Sequence, residues 1–215
     1  MGPSTKVKIC GLRTEAAVAA ALDGGADYLG FVFFPPSPRH VTPAAAKALT
    51  AGVRGRARIV ALMVDPDDAL IDEVVAAIAP DVLQLHGREE PERVAEIRGR
   101  WAPTVVKALP VTTAEDVGAA RRYQDVADLI LFDARAPADS TRPGGHGMPF
   151  DWRVLEGVRQ DGDFVLSGGL TPENVAEAIR VTGAPIVDVS SGVESRPGEK
   201  DPELIRRFLR AAKGV

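Results

Sequence analysis

Short apolar runs recur along the whole chain, and longer segments with helical spacing separate them. Several runs are apolar at almost every position. This pattern is typical of parallel strands that are buried on both faces, rather than of antiparallel strands with one face in water. The runs predict eight strands, at 7–10, 28–33, 58–64, 82–86, 104–109, 129–133, 164–167 and 185–190.

The segments between these runs carry the signals of helix starts and helix ends. Thr42 and Thr171 each precede a proline that would take the first helical position. Gly24, Gly183 and Gly214 follow predicted helix ends. Together the signals predict eight helices, at 14–26, 42–52, 65–79, 88–99, 112–123, 150–162, 171–184 and 201–214.

An eightfold alternation of strand and helix in a chain of 215 residues predicts a single-domain α/β fold, the (β/α)8 TIM barrel. We expect residues 1–215 to form one catalytic barrel domain, near the small end of the size range of this fold. A doubly wound open sheet is the alternative. That fold usually has fewer strands, and no G-x-G-x-x-G motif follows the first run.

Composition and charge narrow the classes of partner. With 26 basic and 30 acidic side chains the net charge is −4, so we expect no nucleic acid partner. No apolar run is long enough to span a bilayer, and we expect no membrane contact. The single cysteine excludes an internal disulfide, which fits a reducing cytoplasm. Three scattered histidines lack the spacing of a structural zinc site, and we predict neither a metal nor a cofactor.

Polar residues at the strand ends are the candidates for chemistry, because the active sites of such barrels lie at the carboxyl ends of the strands. Cys10 ends the first predicted strand, His86 the fourth and Asp133 the sixth. Arg39 follows the second. Ordinary structural roles are the alternatives: a lone cysteine usually behaves as a small buried hydrophobe, Asp133 could cap its strand, and Arg39 could be a solvated surface side chain.

Two glycine-containing turns, "LSGGL" and "VSSGVE", follow the seventh and eighth predicted strands. Barrels of this type often hold a phosphate there, on backbone N–H groups and the N-terminus of a short extra helix. We therefore predict a phosphate site at Gly168, Gly169, Ser191 and Gly192. Each turn taken alone could instead be a tight turn and nothing more.

An ordered set of motifs carries a family resemblance. The stretches "KICG", "GADYLGFVFFPPSPRHV", "LQLHG", "LFD", "GGHG", "FDW", "LSGGLTPENV" and "DVSSGVE" with "PGEKD" resemble those of phosphoribosylanthranilate isomerases, enzymes of tryptophan biosynthesis. The similarity runs from Lys8 to Asp201. It implies an Amadori rearrangement of N-(5-phosphoribosyl)anthranilate, a small-molecule substrate, to 1-(2-carboxyphenylamino)-1-deoxyribulose 5-phosphate. We expect a monomer or a homodimer.

The resemblance also implies roles for single residues. Asp133 would be the general acid that protonates the furanose ring oxygen, and Cys10 the general base that removes the proton at sugar C2. Arg39 would engage the anthranilate moiety, whose carboxylate suits a planar guanidinium. His86 either orients substrate or caps its strand, and Asp188 either helps to shape the pocket or makes an internal hydrogen bond.

Two other classes of function stay open at this point. One is another phosphosugar barrel: epimerases of this shape usually need metal ligands, and indole-forming synthases depend on lysines, of which the predicted strand interiors hold only Lys8 and Lys107. The other is a phosphosugar-binding barrel without turnover. A pure binder would not need both Cys10 and Asp133.

The connection 134–149 is long for a compact domain, and connections of this length are usually functional. It departs from the family at residues 146–149, which read His-Gly-Met-Pro where the family commonly has a hydroxyl residue, a glycine and a Lys-Thr pair. Arg135 or Arg142 could supply the missing positive charge.

Overall fold

Eight parallel strands close into a barrel in chain order in the computed structural model, which describes residues 5–101, 104–134, 151–156, 158 and 162–215. Pairing of the first strand with the last closes the barrel, with Lys8 opposite Asp188. The predicted (β/α)8 barrel is therefore confirmed. The strands are β1 (Lys6–Cys10), β2 (Tyr28–Phe33), β3 (Arg58–Met63), β4 (Val82–Leu85), β5 (Val105–Val111), β6 (Leu129–Ala134), β7 (Phe164–Leu166) and β8 (Ile186–Val189).

The α-helices lie in the connections and cover the outside of the barrel. The first two begin as predicted, because the side chains of Thr14 and Thr42 accept backbone N–H groups of the first turn. None of the described helices is long and apolar enough to cross a membrane. The helices are α1 (Glu15–Asp23), α2 (Pro43–Thr50), α3 (Asp68–Ile78), α4 (Pro91–Arg100), α5 (Ala114–Gly118), α6 (Val175–Thr182) and α7 (Pro202–Lys213).

The helix predicted at 112–123 is divided. Its start is a capping box of Thr113 and Asp116, but the α-helical part ends at Gly118 and a 3-10 helix covers Ala119–Tyr123. Glycine is a poor helix former, which accounts for the break at that position.

The prediction of an α-helix at 150–162 is wrong for the described residues, which contain a 3-10 helix at Trp152–Leu155. Its last hydrogen bond runs from the Glu156 N–H to the carbonyl of Arg153, three residues back. Such tight turns are used in short pieces, and the segment contains two glycines that disfavour a longer helix.

Two large apolar cores lie in the described part of the fold. The larger core joins the outer faces of the strands to the helices. The smaller contains strand residues only, so it fills the barrel itself. Because side chains alternate between the two faces of a strand, this set fixes which residues face inward. Its members are Tyr28, Val60, Val82, Val106, Ala108, Leu131, Val165 and Ile186.

At the amino ends of the strands the same contact occurs three times among the described residues. An aspartate just before an even-numbered strand accepts the backbone N–H of a residue in the preceding odd-numbered strand. Each contact satisfies a backbone donor and ties two neighbouring strands together. The pairs are Asp27 with Val7 at 2.8 Å, Asp81 with Ile59 at 2.7 Å and Asp128 with Val105 at 2.7 Å.

A small antiparallel hairpin of strands β9 (Glu194–Arg196) and β10 (Glu199–Lys200) follows β8 and a 3-10 helix at Ser191–Val193. This hairpin is absent from the predicted elements. Gly198 turns the chain with a φ of 84°, a value that favours glycine. The hairpin places Glu194 and Lys200 at the carboxyl end of the barrel.

Candidate active site

Cys10 lies at the carboxyl end of β1 as a free, buried thiol. It forms a small apolar cluster with Val32 and Leu62 at that end of the barrel. Its neighbour on β2 is Gly30, where an added Cβ would lie 3.0 Å from the Cys10 sulfur. A glycine at this position therefore leaves room for the thiol.

Charged side chains surround this thiol although it is buried. Lys8, two residues earlier on the same face of β1, has its Nζ 3.0 Å from Oδ1 of Asp188 on β8, and both side chains are only 5% exposed. Burial raises the pKa of the Cys10 thiol and the charge of Asp188 adds to the rise, whereas Lys8 and Lys200 act against it. The net direction is upward, so Cys10 rests as a thiol near neutral pH.

Asp133 ends the inward face of β6 and is bound to His86, which follows β4. The Nε2 atom of His86 lies 3.2 Å from Oδ2 of Asp133. The amide nitrogen of Gln84 lies 3.1 Å from Nδ1 of His86 and can only donate there, so Nε2 carries the ring proton and donates to Asp133. The other oxygen of Asp133 accepts the N–H of Ala134 at 3.0 Å.

Arg39 is buried, which rules out a solvated surface side chain. Its Nε and a terminal nitrogen donate to the two carboxylate oxygens of Glu194, at 2.7 and 2.8 Å. Glu194 also binds Lys200 at 2.6 Å, and Lys200 donates to the carbonyl of Ser190 at 2.9 Å. A buried network of charges thus joins the loop after β2 to the hairpin after β8.

Glu194 and Lys200 are site residues that sequence reasoning missed. Burial alone opposes the charge on Glu194, but the hydrogen bond from Arg39 and the charge of Lys200 outweigh it and lower the pKa of Glu194. For Lys200 the effect of burial outweighs the attraction of Glu194, and the pKa of Lys200 falls to about 8. Glu194 lies in the motif "VSSGVE" and Lys200 lies in the motif "PGEKD". These two motifs were the sequence signal that could have identified them as candidates.

The predicted phosphate residues lie in two turns that touch each other. Gly168 and Gly169 have φ values of 87° and 65°, which favour glycine. Ser191 begins the 3-10 helix after β8. Gly192 packs against the backbone carbonyl of Leu170, so that a side chain at this position would collide with the neighbouring turn.

Lys107 lies within β5 but does not face the barrel interior. Its neighbours Val106 and Ala108 belong to the core inside the barrel, so Lys107 points toward the helices. There its Nζ binds Glu89 at 2.7 Å and the carbonyl of Gly87 at 2.7 Å. Lys8 is therefore the inward-facing lysine of these two.

Among the described residues no cluster of three or more histidine, cysteine, aspartate or glutamate side chains could hold a metal ion. Residues 135–150 lie outside the described part of the chain, together with the sequence departure at 146–149 and with Arg135 and Arg142.

Comparison with known proteins decides the family. Residues 7–211 match the family model described as N-(5'-phosphoribosyl)anthranilate (PRA) isomerase. An N-(5'-phosphoribosyl)anthranilate isomerase of Rhodopseudomonas palustris is 57% identical over 209 residues, which cover 97% of this chain and 96% of the relative. The chain belongs to the phosphoribosylanthranilate isomerase family.

Solved structures of the family have the same fold. The phosphoribosylanthranilate isomerase of Thermotoga maritima is 36% identical, with a TM-score of 0.88 over 98% of this chain and all of that one. A second such structure, 34% identical with a TM-score of 0.85 over 98% of this chain and all of that one, is a complex with reduced 1-(o-carboxyphenylamino)-1-deoxyribulose 5-phosphate. The family resemblance drawn from the motifs is thereby confirmed.

Proposed function

We infer that the chain catalyses the isomerisation of N-(5-phosphoribosyl)anthranilate to 1-(2-carboxyphenylamino)-1-deoxyribulose 5-phosphate in tryptophan biosynthesis. The observation that carries this conclusion is the match of nearly the whole chain to relatives of that activity at more than half identity. The bound molecule of the related structure is a reduced form of the product, which agrees with it.

The first step needs an acid, and we assign it to Asp133. Its proton goes to the furanose ring oxygen, the bond from that oxygen to C1 breaks, and the nitrogen lone pair forms the C1=N bond of a Schiff base. The burial of Asp133 and its contact with His86 support this assignment, because a hydrogen bond from a fixed partner holds the carboxyl group in one orientation.

The second step needs a base, and we assign it to Cys10 in its thiolate form. The thiolate takes the proton from sugar C2, the electrons of the C–H bond form the C1=C2 bond of an enolamine, and the π electrons of the C1=N bond return to the nitrogen. The enolamine then gains a proton at C1 and loses the hydroxyl proton at C2, which gives the ketone. Since burial favours the thiol, the chemistry depends on the positive charges near the sulfur.

Substrate binding completes the proposal. Arg39 takes the anthranilate carboxylate, and its two hydrogen bonds to Glu194 fix the plane of the guanidinium for this. The phosphate lies against the backbone of Gly168, Gly169, Ser191 and Gly192, where positive φ angles and the close contact of two turns support an anion site of N–H groups.

We place the reaction in the cytoplasm, because a base that must stay a reduced thiol fits a reducing compartment. For the assembly we propose a monomer or a homodimer. Sedimentation of the purified chain at micromolar concentration separates these two states.

The activity is tested by adding the purified chain to freshly made N-(5-phosphoribosyl)anthranilate and following the loss of its fluorescence. The matched control is the Asp133→Asn variant at the same concentration, since it keeps the shape of the site without the acid. Loss of fluorescence with the wild-type chain that slows by at least about 100-fold in the variant supports the proposal. No loss with a folded wild-type chain would contradict it.

A further inference from the structure

Lys8 is a charged residue in the barrel interior to which the proposed chemistry assigns no proton transfer or substrate contact. Its side chain is 5% exposed and its Nζ binds Asp188 at 3.0 Å. The Cε atom of Lys8 and the sulfur of Cys10 both border Gly30. The ammonium group therefore lies beside the thiol, one layer deeper in the barrel.

A buried ion pair contributes little net free energy to the stability of a fold. Removing two charges from water costs several kcal/mol per ion, and well-packed apolar residues in their place are often neutral or stabilising. Perturbed charges inside a cleft are, in contrast, common at functional sites. The position of Lys8, two residues from the proposed base, points to a function of this kind.

The charges around Cys10 come from three elements. Lys8 is on β1 and Asp188 is on β8, while Lys200 comes from β10. Lys200 already binds the carboxylate of Glu194, which also holds Arg39. Lys8 borders the same glycine as the Cys10 sulfur, whereas Lys200 donates hydrogen bonds to Glu194 and Ser190.

We propose that Lys8, held in place by Asp188, is the positioning residue that stabilises the thiolate of Cys10 and so makes it available as the base. This inference rests on the proposed function. Asp188 keeps the ammonium charged inside the barrel, since the pKa of Lys8 stays above its usual value although burial opposes the charge. Lys8 lies beneath the reacting sulfur and acts through it.

The direct test measures the thiolate itself, without substrate. A thiolate absorbs near 240 nm, and Cys10 is the only cysteine, so the absorbance difference between the wild-type chain and Cys10→Ser during a pH titration reports this group alone. The same titration is done on Lys8→Met, with the double variant Lys8→Met and Cys10→Ser as its reference. We expect the titration midpoint of the Cys10 thiol to rise by about one pH unit or more in Lys8→Met. An unchanged midpoint in a folded protein would overturn the proposal.

Lys107→Met is the matched control. It also removes a buried, ion-paired lysine from a barrel strand, but Lys107 points away from the barrel interior. The proposal predicts an unchanged Cys10 midpoint in this variant. An equal rise in both variants would show a general effect of lost stability and would overturn the proposal.

A second variant serves as a control for misfolding of Lys8→Met. Lys8→Met leaves Asp188 as an unpaired buried group, whereas Lys8→Met combined with Asp188→Asn removes both charges. The double variant should retain a smaller upward shift of the Cys10 midpoint, because the attraction of Lys8 for the thiolate outweighs the repulsion by Asp188. A midpoint at or below the wild-type value would overturn the proposal.

Turnover supplies an independent readout. In Lys8→Met we expect kcat at neutral pH to fall about tenfold or more with little change in KM, and part of the loss to be recovered as the pH is raised. A loss that does not change with pH would overturn the proposal. The absorbance titration stands even if the substrate is misassigned, so failure of the proposed function and failure of this inference are distinguishable.

Discussion

The His86 ring donates from Nε2 to Oδ2 of Asp133 across 3.2 Å, and this contact ties the loop after β4 to the end of β6. Because the amide of Gln84 engages the other ring nitrogen, the ring is fixed in both orientation and tautomer. His86 therefore acts on the orientation of the proposed acid, alongside any contact that it makes with substrate.

Replacing His86 tests this relationship. In His86→Ala, Asp133 loses its fixed partner, and we expect kcat to fall by about tenfold, less than the 10²- to 10⁴-fold typical of removing an acid itself. KM should change less than kcat. Steady-state kinetics give both values. A rise in KM with unchanged kcat would mean that His86 serves substrate binding alone. Gln84→Leu should give a smaller fall in the same direction.

Glu194 orients Arg39 through both carboxylate oxygens, so Glu194→Gln should impair substrate binding and folding together. We expect KM to rise about tenfold, equivalent to about 1.4 kcal/mol of binding. Removal of one partner from a buried ion pair should also lower the free energy of unfolding by about 3 kcal/mol, measured with urea. The rise in KM and the loss of stability have the same cause, because Arg39 and Lys200 keep their positive charges but lose the carboxylate that pairs with them.

Glu199→Gln is the matched control for that experiment. Glu199 lies in the same hairpin and pairs with Arg196, but both side chains are more than half exposed. Exposed pairs contribute about 0–1 kcal/mol, so neither KM nor stability should change appreciably. If the two variants behave alike, the buried network does not orient Arg39.

The order of the elements was predictable from the sequence, because each strand is an almost continuous apolar run. The strand predicted at 28–33 has the same bounds as β2, and the bounds of the other predicted strands agree closely with the structure. The hairpin of β9 and β10 escaped prediction because it is short and polar. Partners such as Lys8 and Asp188 lie 180 residues apart, so only the closure of the barrel brings them together.

The inward or outward direction of a strand side chain can be read from the alternation of residues along the strand. Lys107 alternates with Val106 and Ala108, and that alternation already assigns it to the other face. The pairing of Arg39 with Glu194 depends on how a loop and a hairpin meet, which no local pattern specifies. Sequence reasoning thus proposed candidate site residues more readily than their partners.

The proposed phosphate site is tested through Gly192, whose Cα hydrogen faces the carbonyl of Leu170. In Gly192→Ala the two turns must separate, and we expect KM to rise about tenfold or more. Competitive inhibition by inorganic phosphate should weaken in parallel. Gly52→Ala is the control, since an added Cβ there meets nothing within 4 Å. Unchanged phosphate inhibition in Gly192→Ala would contradict the placement.

The aspartates at the amino ends of the strands should matter for stability and not for chemistry. Asp81→Ala leaves the N–H of Ile59 without its partner, and loss of such a bond costs about 1–3 kcal/mol. We expect urea unfolding to show that loss, while kcat stays at the wild-type value. Asp125→Ala, at an exposed position, should change neither quantity. A fall in kcat at 25 °C in a fully folded Asp81→Ala would contradict this division of roles.

The proposed role of Cys10 as the base is tested most directly by the turnover rate of Cys10→Ser, measured by loss of substrate fluorescence. A hydroxyl offers almost no basic form at neutral pH, so the account predicts a fall in kcat of at least about 100-fold. The circular dichroism spectrum should be unchanged, because serine and cysteine are nearly isosteric. A folded Cys10→Ser enzyme within about tenfold of the wild-type rate, below the range for a general base, would contradict the account.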